Sequence, residues 1–172
     1  MSKVRIGMAI VLVCALAFPA TSVLAQDTAA REATDRAEIE ELMGKYTRAL
    51  DHNNGPAYAA AYTVDGEFRA GATSTKGREA LKKMVDDLKV QNDAARARGE
   101  TRAPLYHMET NTWVEFVDKD HARYHSYYLT VSGAAGQANP PRIAAAGRSV
   151  NHLERVTCKW LLTLRDVAPP QD

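Results

Sequence analysis

Between residues 39 and 50 the apolar positions Ile39, Leu42, Met43, Tyr46, Ala49 and Leu50 recur at steps of three and four, which predicts one face of an amphipathic helix. Asp35-Arg36-Ala37-Glu38 just ahead has the form of a capping box, so the helix is expected from Asp35 to near Leu50. Asn53-Asn54-Gly55 is stop chemistry and Pro56 can only open a new helix, so a short alanine-rich helix is expected over 56–62. Asp65-Gly66 marks a turn, with GEFRAG as a brief strand. Leu81, Met84, Val85 and Leu88 give the apolar side of a third helix over 79–95, and 99–104 reads as a loop. From Leu105 the period changes. Residues 105–117, 121–131, 143–156 and 160–167 are rich in aromatic and β-branched side chains and read as long strands. Asp118-Lys119-Asp120 is short enough to pair the first two as a hairpin; 132–141 is a longer loop and 157–159 a tight turn. Helices first, then an antiparallel meander, predict an α+β domain with helices on one face of a curved sheet.

Residues 1–25 do not fit that scheme. Lys3 and Arg5 precede an apolar run from Ile6 to Phe18, and Val23-Leu24-Ala25 ends in small residues of the kind a signal peptidase reads. The run falls short of the roughly 20 residues that span a bilayer. A cleavable signal peptide over 1–25 is therefore expected, with a periplasmic or secreted mature chain and no membrane attachment after cleavage. Cys14 follows Val13, where a lipoprotein signal would carry a small residue, which argues against lipidation. Residues 26–33 are expected to be disordered, 34–167 to form the domain and 168–172 a tail. The signal removes two of the 22 basic residues and none of the 21 acidic ones, leaving a near-neutral chain without a basic run, so nothing favours nucleic acid. Cys158 is the one cysteine beyond the signal, so no intrachain disulfide is expected. No zinc-type Cys/His spacing, glycine-rich phosphate loop or GxSxG occurs, so neither a metal nor a cofactor is expected.

Two residues stand out chemically. Taking Ile39 as reference at about 100° per residue, Asp51 lies about 120° from the apolar centre of the first helix, on its flank. Its charge at a helix C-terminus opposes the macrodipole by roughly 0.3–1 kcal/mol, which hints at a role beyond punctuation. Reaching the core side would require the helix to unwind there. His107 opens the first long strand, in Leu-Tyr-His-Met-Glu-Thr-Asn. Strict alternation puts Tyr106, Met108, Val114 and Phe116 on one parity and His107, Glu109, Asn111 and Glu115 on the other. A β-bulge near Thr110 would place His107 on the same face as Val114. The seven tyrosines outnumber the phenylalanines, and two or three could line one cavity; Tyr62, Tyr106 and Tyr127, with Asn111 and His125, are the candidate ligand contacts. His121 and His152 read as surface or sheet residues, with His152, like His125, kept as a candidate because it lies on a long strand, and Trp160 and Arg165 as packing and a sheet-end ion pair.

The ordered set EIEELMGKYTRALD, AYAAAYTVDGEF, KGREAL, HMETN, GRSVNHLERV and KWLLTLRDV resembles the SnoaL-like family of the nuclear transport factor 2-like superfamily, which includes scytalone dehydratase, bile acid 7α-dehydratase and ketosteroid isomerase. The resemblance spans about residues 34–167. It implies a cone-shaped α+β fold, three N-terminal helices on a strongly bent antiparallel sheet around an apolar pocket, and commonly a homodimer. It implies Asp51 and His107 as a catalytic pair with Tyr46 as a hydrogen-bond donor, in a cofactor-independent dehydration, isomerisation or cyclisation of a small hydrophobic carbonyl compound. Departures from the family pattern are Ser149 and Asn151, where relatives often carry tyrosine and aspartate, an asparagine at 53 or 54 in place of an acidic residue, and a long charged segment over 91–104. A non-catalytic binding module of the same fold, or a structural dimerisation domain, are the competing expectations.

Overall fold

The computed structural model describes residues 20–136 and 139–170. Residues 1–19 of the expected signal peptide lie outside them. The chain divides into two units, Met1–Thr34 and Asp35–Asp172, and the second is the domain considered below.

Helix α1 spans Ala20–Asp51 without a break. Two expectations are thereby corrected: residues 26–33 are helical, and Asp35 is no N-cap. The stretch is rich in alanine, glutamate and arginine and contains neither glycine nor proline before Gly44, so nothing stops the helix at Asp35. Asp35 is instead a buried residue whose carboxylate lies 2.5 Å from the Arg155 guanidinium, itself stacked on Trp160. The C-terminus follows the sequence. Asn53 adopts a left-handed φ of 52°, Asn54 N–H donates to Ala49 C=O at 2.8 Å and Asn53 N–H to Leu50 C=O at 3.0 Å, a Schellman closure. The Asn54 side chain then caps α2 (Gly55–Ala60), accepting from Ala57 N–H at 3.1 Å. Gly55 is required by packing, because a Cβ there would lie 2.7 Å from the Lys82 carbonyl of the next long helix.

Strand β1 (Tyr62–Ala70) bulges rather than turns at Asp65-Gly66, where its register against β6 shifts between Tyr62 and Glu67; its hairpin turn comes later, at Gly71, with φ 61°, and leads into β2 (Thr73–Lys76). Helix α3 (Arg78–Ala97) follows, then β3 (Leu105–Phe116), β4 (His121–Ser132), β5 (Arg142–Val156) and β6 (Lys159–Asp166). The strand order is β2-β1-β6-β5-β4-β3. The meander β3 to β6 is antiparallel as expected, but β1 pairs parallel to β6, so the sheet is mixed.

The core lies between the helices and one sheet face. Ile39, Met43 and Tyr46 of α1 meet Tyr58, Leu81 and Val85 from α2 and α3, and Val114, Tyr124, Leu153, Trp160 and Leu162 from the sheet. Register shifts decide which residues reach it. On β3 the shift falls between Thr110 and Trp113, where Asn111 takes a φ of 50°. Opposite β4, Val114 pairs with Tyr124, while His107 pairs with Thr130 and Glu109 with Tyr128. Alternation along β4 places Tyr124, Tyr128 and Thr130 on one face, so His107 and Glu109 share the helix-facing side with Val114. A second shift, between His152 and Leu153 opposite β6, does the same for Arg165 beside Leu162.

Candidate functional site

Asp51 is the last residue of α1 and His107 the third of β3. The Asp51 carboxylate lies 2.6 Å from His107 Nδ1 and also accepts the backbone N–H of His107 at 3.1 Å. A carboxylate can only accept, so Nδ1 carries the proton, and in the neutral imidazole Nε2 then presents the lone pair. Among the described residues no hydrogen bond engages Nε2. Both side chains are largely buried, with about a fifth to a quarter of each exposed. The helix does not unwind to bring them together, contrary to the expectation from the sequence. The edge strand β3 comes to the flank of α1 instead. The two N–H donors also offset the unfavourable placement of a carboxylate at a helix C-terminus.

The same flank carries Glu40, Gly44 and Thr47, one face of α1 at steps of four and three leading to Asp51 four residues on. With Met43, Glu109 and Tyr124 they line a cavity of about 220 Å³. Thr47 is one helical turn, about 5.4 Å, from Asp51. Glu109 is two strand residues, about 6.7 Å, from His107. The pair thus spans α1 and β3 beside the cavity. A larger recess of about 460 Å³ at the loops around Ala103, Gly133 and Asn139 holds none of the candidate chemistry.

Behind the cavity wall runs a closed ring of buried polar side chains. Arg165 donates to Glu109 Oε1 and to Asn151 Oδ1, the latter at 3.1 Å. Asn151 Nδ2 donates to Ser149 Oγ at 3.1 Å and to Tyr124 C=O at 3.0 Å. Ser149 and Ser126 hydroxyls are 2.7 Å apart, and Ser126 donates to Glu109 Oε2. Because Glu109 only accepts, Ser126 must spend its proton there, so Ser149 donates to Ser126. Every hydrogen-bond direction in the ring follows. The guanidinium of Arg165 also lies 4.6 Å from the Tyr46 ring centroid. Burial works against its charge, but Tyr46, Glu109 and Tyr62 around it outweigh that and push its pKa up.

The structure brings together Asp51 and His107 and separates them from most of the other candidates. Tyr46 is buried in a tyrosine trio with Tyr58 and Tyr62 at centroid distances of 5.0 and 6.1 Å, and it is not among the cavity-lining residues. Tyr62 is buried, its hydroxyl 3.2 Å from that of Tyr58. Burial, and then the neighbouring phenols, raise the pKa values of both Tyr58 and Tyr62. Tyr106, Tyr127 and His125 lie on the opposite face of the sheet: Tyr106 alternates with His107 on β3, and His125 and Tyr127 alternate with the inward Tyr124 and Tyr128 on β4. His125 stacks on Trp113 at 4.5 Å there and reaches Glu115 at 3.2 Å. Asn111 is exposed and forms the bulge itself. Arg165, expected at a sheet end, is interior. Glu109 and Tyr124 were missed. The signal for Glu109 was available: a bulge that turns His107 inward also turns in the residue two positions on. Among the described residues no group of three or more His, Cys, Asp or Glu is placed to hold a metal ion, and no helix is long and apolar enough to cross a membrane.

This arrangement of helices, sheet and interior face has known counterparts. The SnoaL-like domain family matches residues 31–166. The chain belongs to the SnoaL-like family. SnoaL-like proteins share the nuclear transport factor 2-like fold, and solved structures agree. An NTF2-like protein with a cystatin-like fold from Novosphingobium aromaticivorans is 22% identical with a TM-score of 0.67, covering 86% of this chain and 87% of its own. A candidate scytalone dehydratase from the same organism is 22% identical with a TM-score of 0.64, covering 80% and 85%. A protein from Catenulispora acidiphila, solved in complex with S-DNPA, is 19% identical with a TM-score of 0.62, covering 77% and 91%. Among curated proteins, none matches the chain in sequence.

Proposed function

We propose that this SnoaL-like protein is a cofactor-independent lyase or isomerase of dehydratase type, acting on a small carbonyl compound by general acid–base chemistry. The observation that carries the reading is the 2.6 Å contact between Asp51 and His107 Nδ1, which leaves Nε2 as a base. His107 Nε2 would remove a proton α to the carbonyl and return it to a departing hydroxyl, so one water leaves per turnover and no electrons are exchanged. Asp51 holds the tautomer and orientation of the ring and balances the imidazolium that forms. Tyr46 is too enclosed among Tyr58, Tyr62 and Arg165 to meet a substrate. Tyr124 brings a phenol to the cavity, six residues along β4 from the partner of His107, so it would meet the far end of the substrate rather than the enolate.

The test is turnover of a panel of β-hydroxy ketones, followed by loss of the hydroxyl. His107→Ala and Asp51→Asn should each lower kcat by about 10²–10⁴, the usual worth of such catalysis, with circular dichroism unchanged. Full activity in either variant would sink the mechanism. A binding module without turnover is favoured by one observation: the cavity lining includes neither Asp51 nor His107. In that case both variants would retain ligand.

Two further expectations belong to the same reading. Removal of residues 1–25 by a signal peptidase and residence in the periplasm or medium would be tested by N-terminal sequencing of exported protein. Homodimer formation through the outer sheet face is supported by Tyr106, Met108, Trp113 and Tyr127, each about half exposed on neighbouring positions of β3 and β4. Light scattering would report a dimer that Trp113→Glu converts to monomer.

A further inference from the structure

Gly44 sits inside α1, where glycine is a poor choice, and its backbone is helical rather than left-handed. At Gly55 and Gly66 backbone atoms of other elements crowd the Cβ position, within 2.8 Å or less. At Gly44 they do not. A Cβ there would meet one atom, the Arg48 Nη1 at 3.5 Å, an ordinary contact with a flexible side chain. Neither conformation nor packing therefore asks for glycine. What glycine does at this position is leave room, and the room is the cavity between Glu40, Met43, Thr47, Glu109 and Tyr124.

The walls define what could occupy it. About 220 Å³ is below the usual range of roughly 300–1,000 Å³ for ligand pockets and fits one six-membered ring with small substituents. Glu109 is nine-tenths buried and already neutralised by Arg165, but each carboxylate oxygen keeps a further lone pair. Thr47 donates its hydroxyl proton back to its own helix, at 3.1–3.2 Å from Gly44 and Met43 carbonyls, so towards the cavity it can only accept. The carboxylate of Glu40 stands at the same lining. Acceptors outnumber donors, and the exposed Glu40 adds a negative charge at the rim, a setting that disfavours carboxylates and phosphates. Met43 supplies an apolar surface.

We infer that the Gly44 cavity is a binding site for a single ring that donates hydrogen bonds, through hydroxyl or ammonium groups, and that it excludes anions. The inference deepens the proposed function by naming the end of the substrate held away from His107, and it rests on that reading for the ligand's chemical fate but not for its binding. The ring would lie one helical turn from Asp51 and one strand repeat from His107.

The experiment is an amide-resolved NMR titration with three ring probes of similar size: resorcinol, benzylammonium and benzoate. Saturable shifts at Gly44, Glu109 and Tyr124 are expected with resorcinol, with benzylammonium, or with both, and which of them binds separates hydroxyl from ammonium recognition. Benzoate should bind at least about tenfold more weakly. Gly44→Leu should abolish the shifts; Gly44→Ala, which adds one methyl group, should weaken them by about tenfold while preserving the spectrum of the folded protein. His107→Ala should bind the probes within about twofold of the native protein, so failure of the acid–base mechanism leaves this site standing. Equal binding of benzoate would overturn the inference. So would native-like binding in both Gly44 variants, or no saturable shift at these amides with any probe at millimolar concentration.

Discussion

Glu109→Gln isolates the charge of the buried ring from its hydrogen bonds. The glutamine carbonyl can still accept from Arg165, and its amide can donate to Ser126. Ser126 then turns its proton to Ser149, whose oxygen accepts from Asn151 and keeps a second lone pair. The loop of bonds closes again with its serine directions reversed, at the cost of the buried Ser149 hydroxyl proton, which loses its acceptor. What does not survive is the counter-charge. The Arg165 side chain is 5% exposed and stacked on Tyr46, so its cation stays in the interior without a carboxylate. Breaking a buried pair on one side typically costs about 3–5 kcal/mol, a large share of a stability near 5–15 kcal/mol. For a domain of this size that corresponds to a fall in Tm on the order of 10 °C or more. Urea unfolding followed by circular dichroism measures it. The double variant Glu109→Gln/Arg165→Met removes both charges and should recover at least about 1 kcal/mol relative to Glu109→Gln alone, a coupling that a double-mutant cycle reads directly. A Glu109→Gln protein within about 0.5 kcal/mol of the native one would refute the claim that this pair is buried and mutually dependent.

Other expectations are simpler. Thr157 and Cys158 form the two-residue β5–β6 turn with φ values of 49° and 62°, the left-handed pair that favours Asn-Gly, so Thr157→Asn/Cys158→Gly should stabilise by roughly 1–2 kcal/mol in the same urea assay. Gly44→Ala removes a helix-interior glycine and should stabilise by about 0.5–1 kcal/mol even as it narrows the cavity; a loss of stability would mean that the cavity wall is more crowded than the geometry indicates. Tyr58, Tyr62 and Tyr124 all have pKa values raised first of all by burial. A phenol that holds its proton more tightly when folded contributes stability below its unfolded pKa of about 10 and loses it as pH climbs towards the folded value. Absorbance titration of the tyrosines should therefore show a late group that ionises only with alkaline unfolding; full titration of every tyrosine in the folded state near pH 10 would contradict it.

The helices and strands were legible where one physical signal acted alone. The three-and-four spacing from Ile39 to Leu50, the Asn53-Asn54-Gly55 stop and the aromatic-rich strands after Leu105 all correspond to observed elements. Misreadings arose where a local signal competed with a tertiary one. Asp35-Arg36-Ala37-Glu38 has the composition of a cap, but the alanine-rich chain before it continues the helix and Arg155 claims the aspartate. Asp65-Gly66 has the composition of a turn and does break the register against β6, but pairing with β6 and β2 resumes at Glu67, so the chain reverses only at Gly71. At the site, the helix-ending carboxylate Asp51 only hinted at a role in the local sequence, and its pairing with His107 was implied by the family resemblance; the structure places the two in contact. Tyr106, Tyr127 and His125 were chosen by residue type without a face, and the face decides. Glu109 and Arg165 were hidden for a related reason: each lies across a register shift, where simple alternation assigns the wrong side. The position of Tyr46 depends on how three tyrosines from two helices and a strand stack, which no periodicity encodes.

The bulge at Asn111 divides β3 into two reading frames. Removing that one residue would let strict alternation run the whole strand, carrying His107 and Glu109 to the outer face and bringing Tyr106 and Met108 in, with every other amino acid unchanged. The chemistry at one end of the molecule thus hangs on a count of residues rather than on their kinds. For sequence comparison, the consequence is that a relative lacking the bulge residue, aligned from the downstream side without a gap at Asn111, has its inward and outward positions exchanged upstream of it. A histidine aligned with Met108 in such a relative is structurally the counterpart of His107, and conservation scored column by column across that point would average two different faces of the sheet.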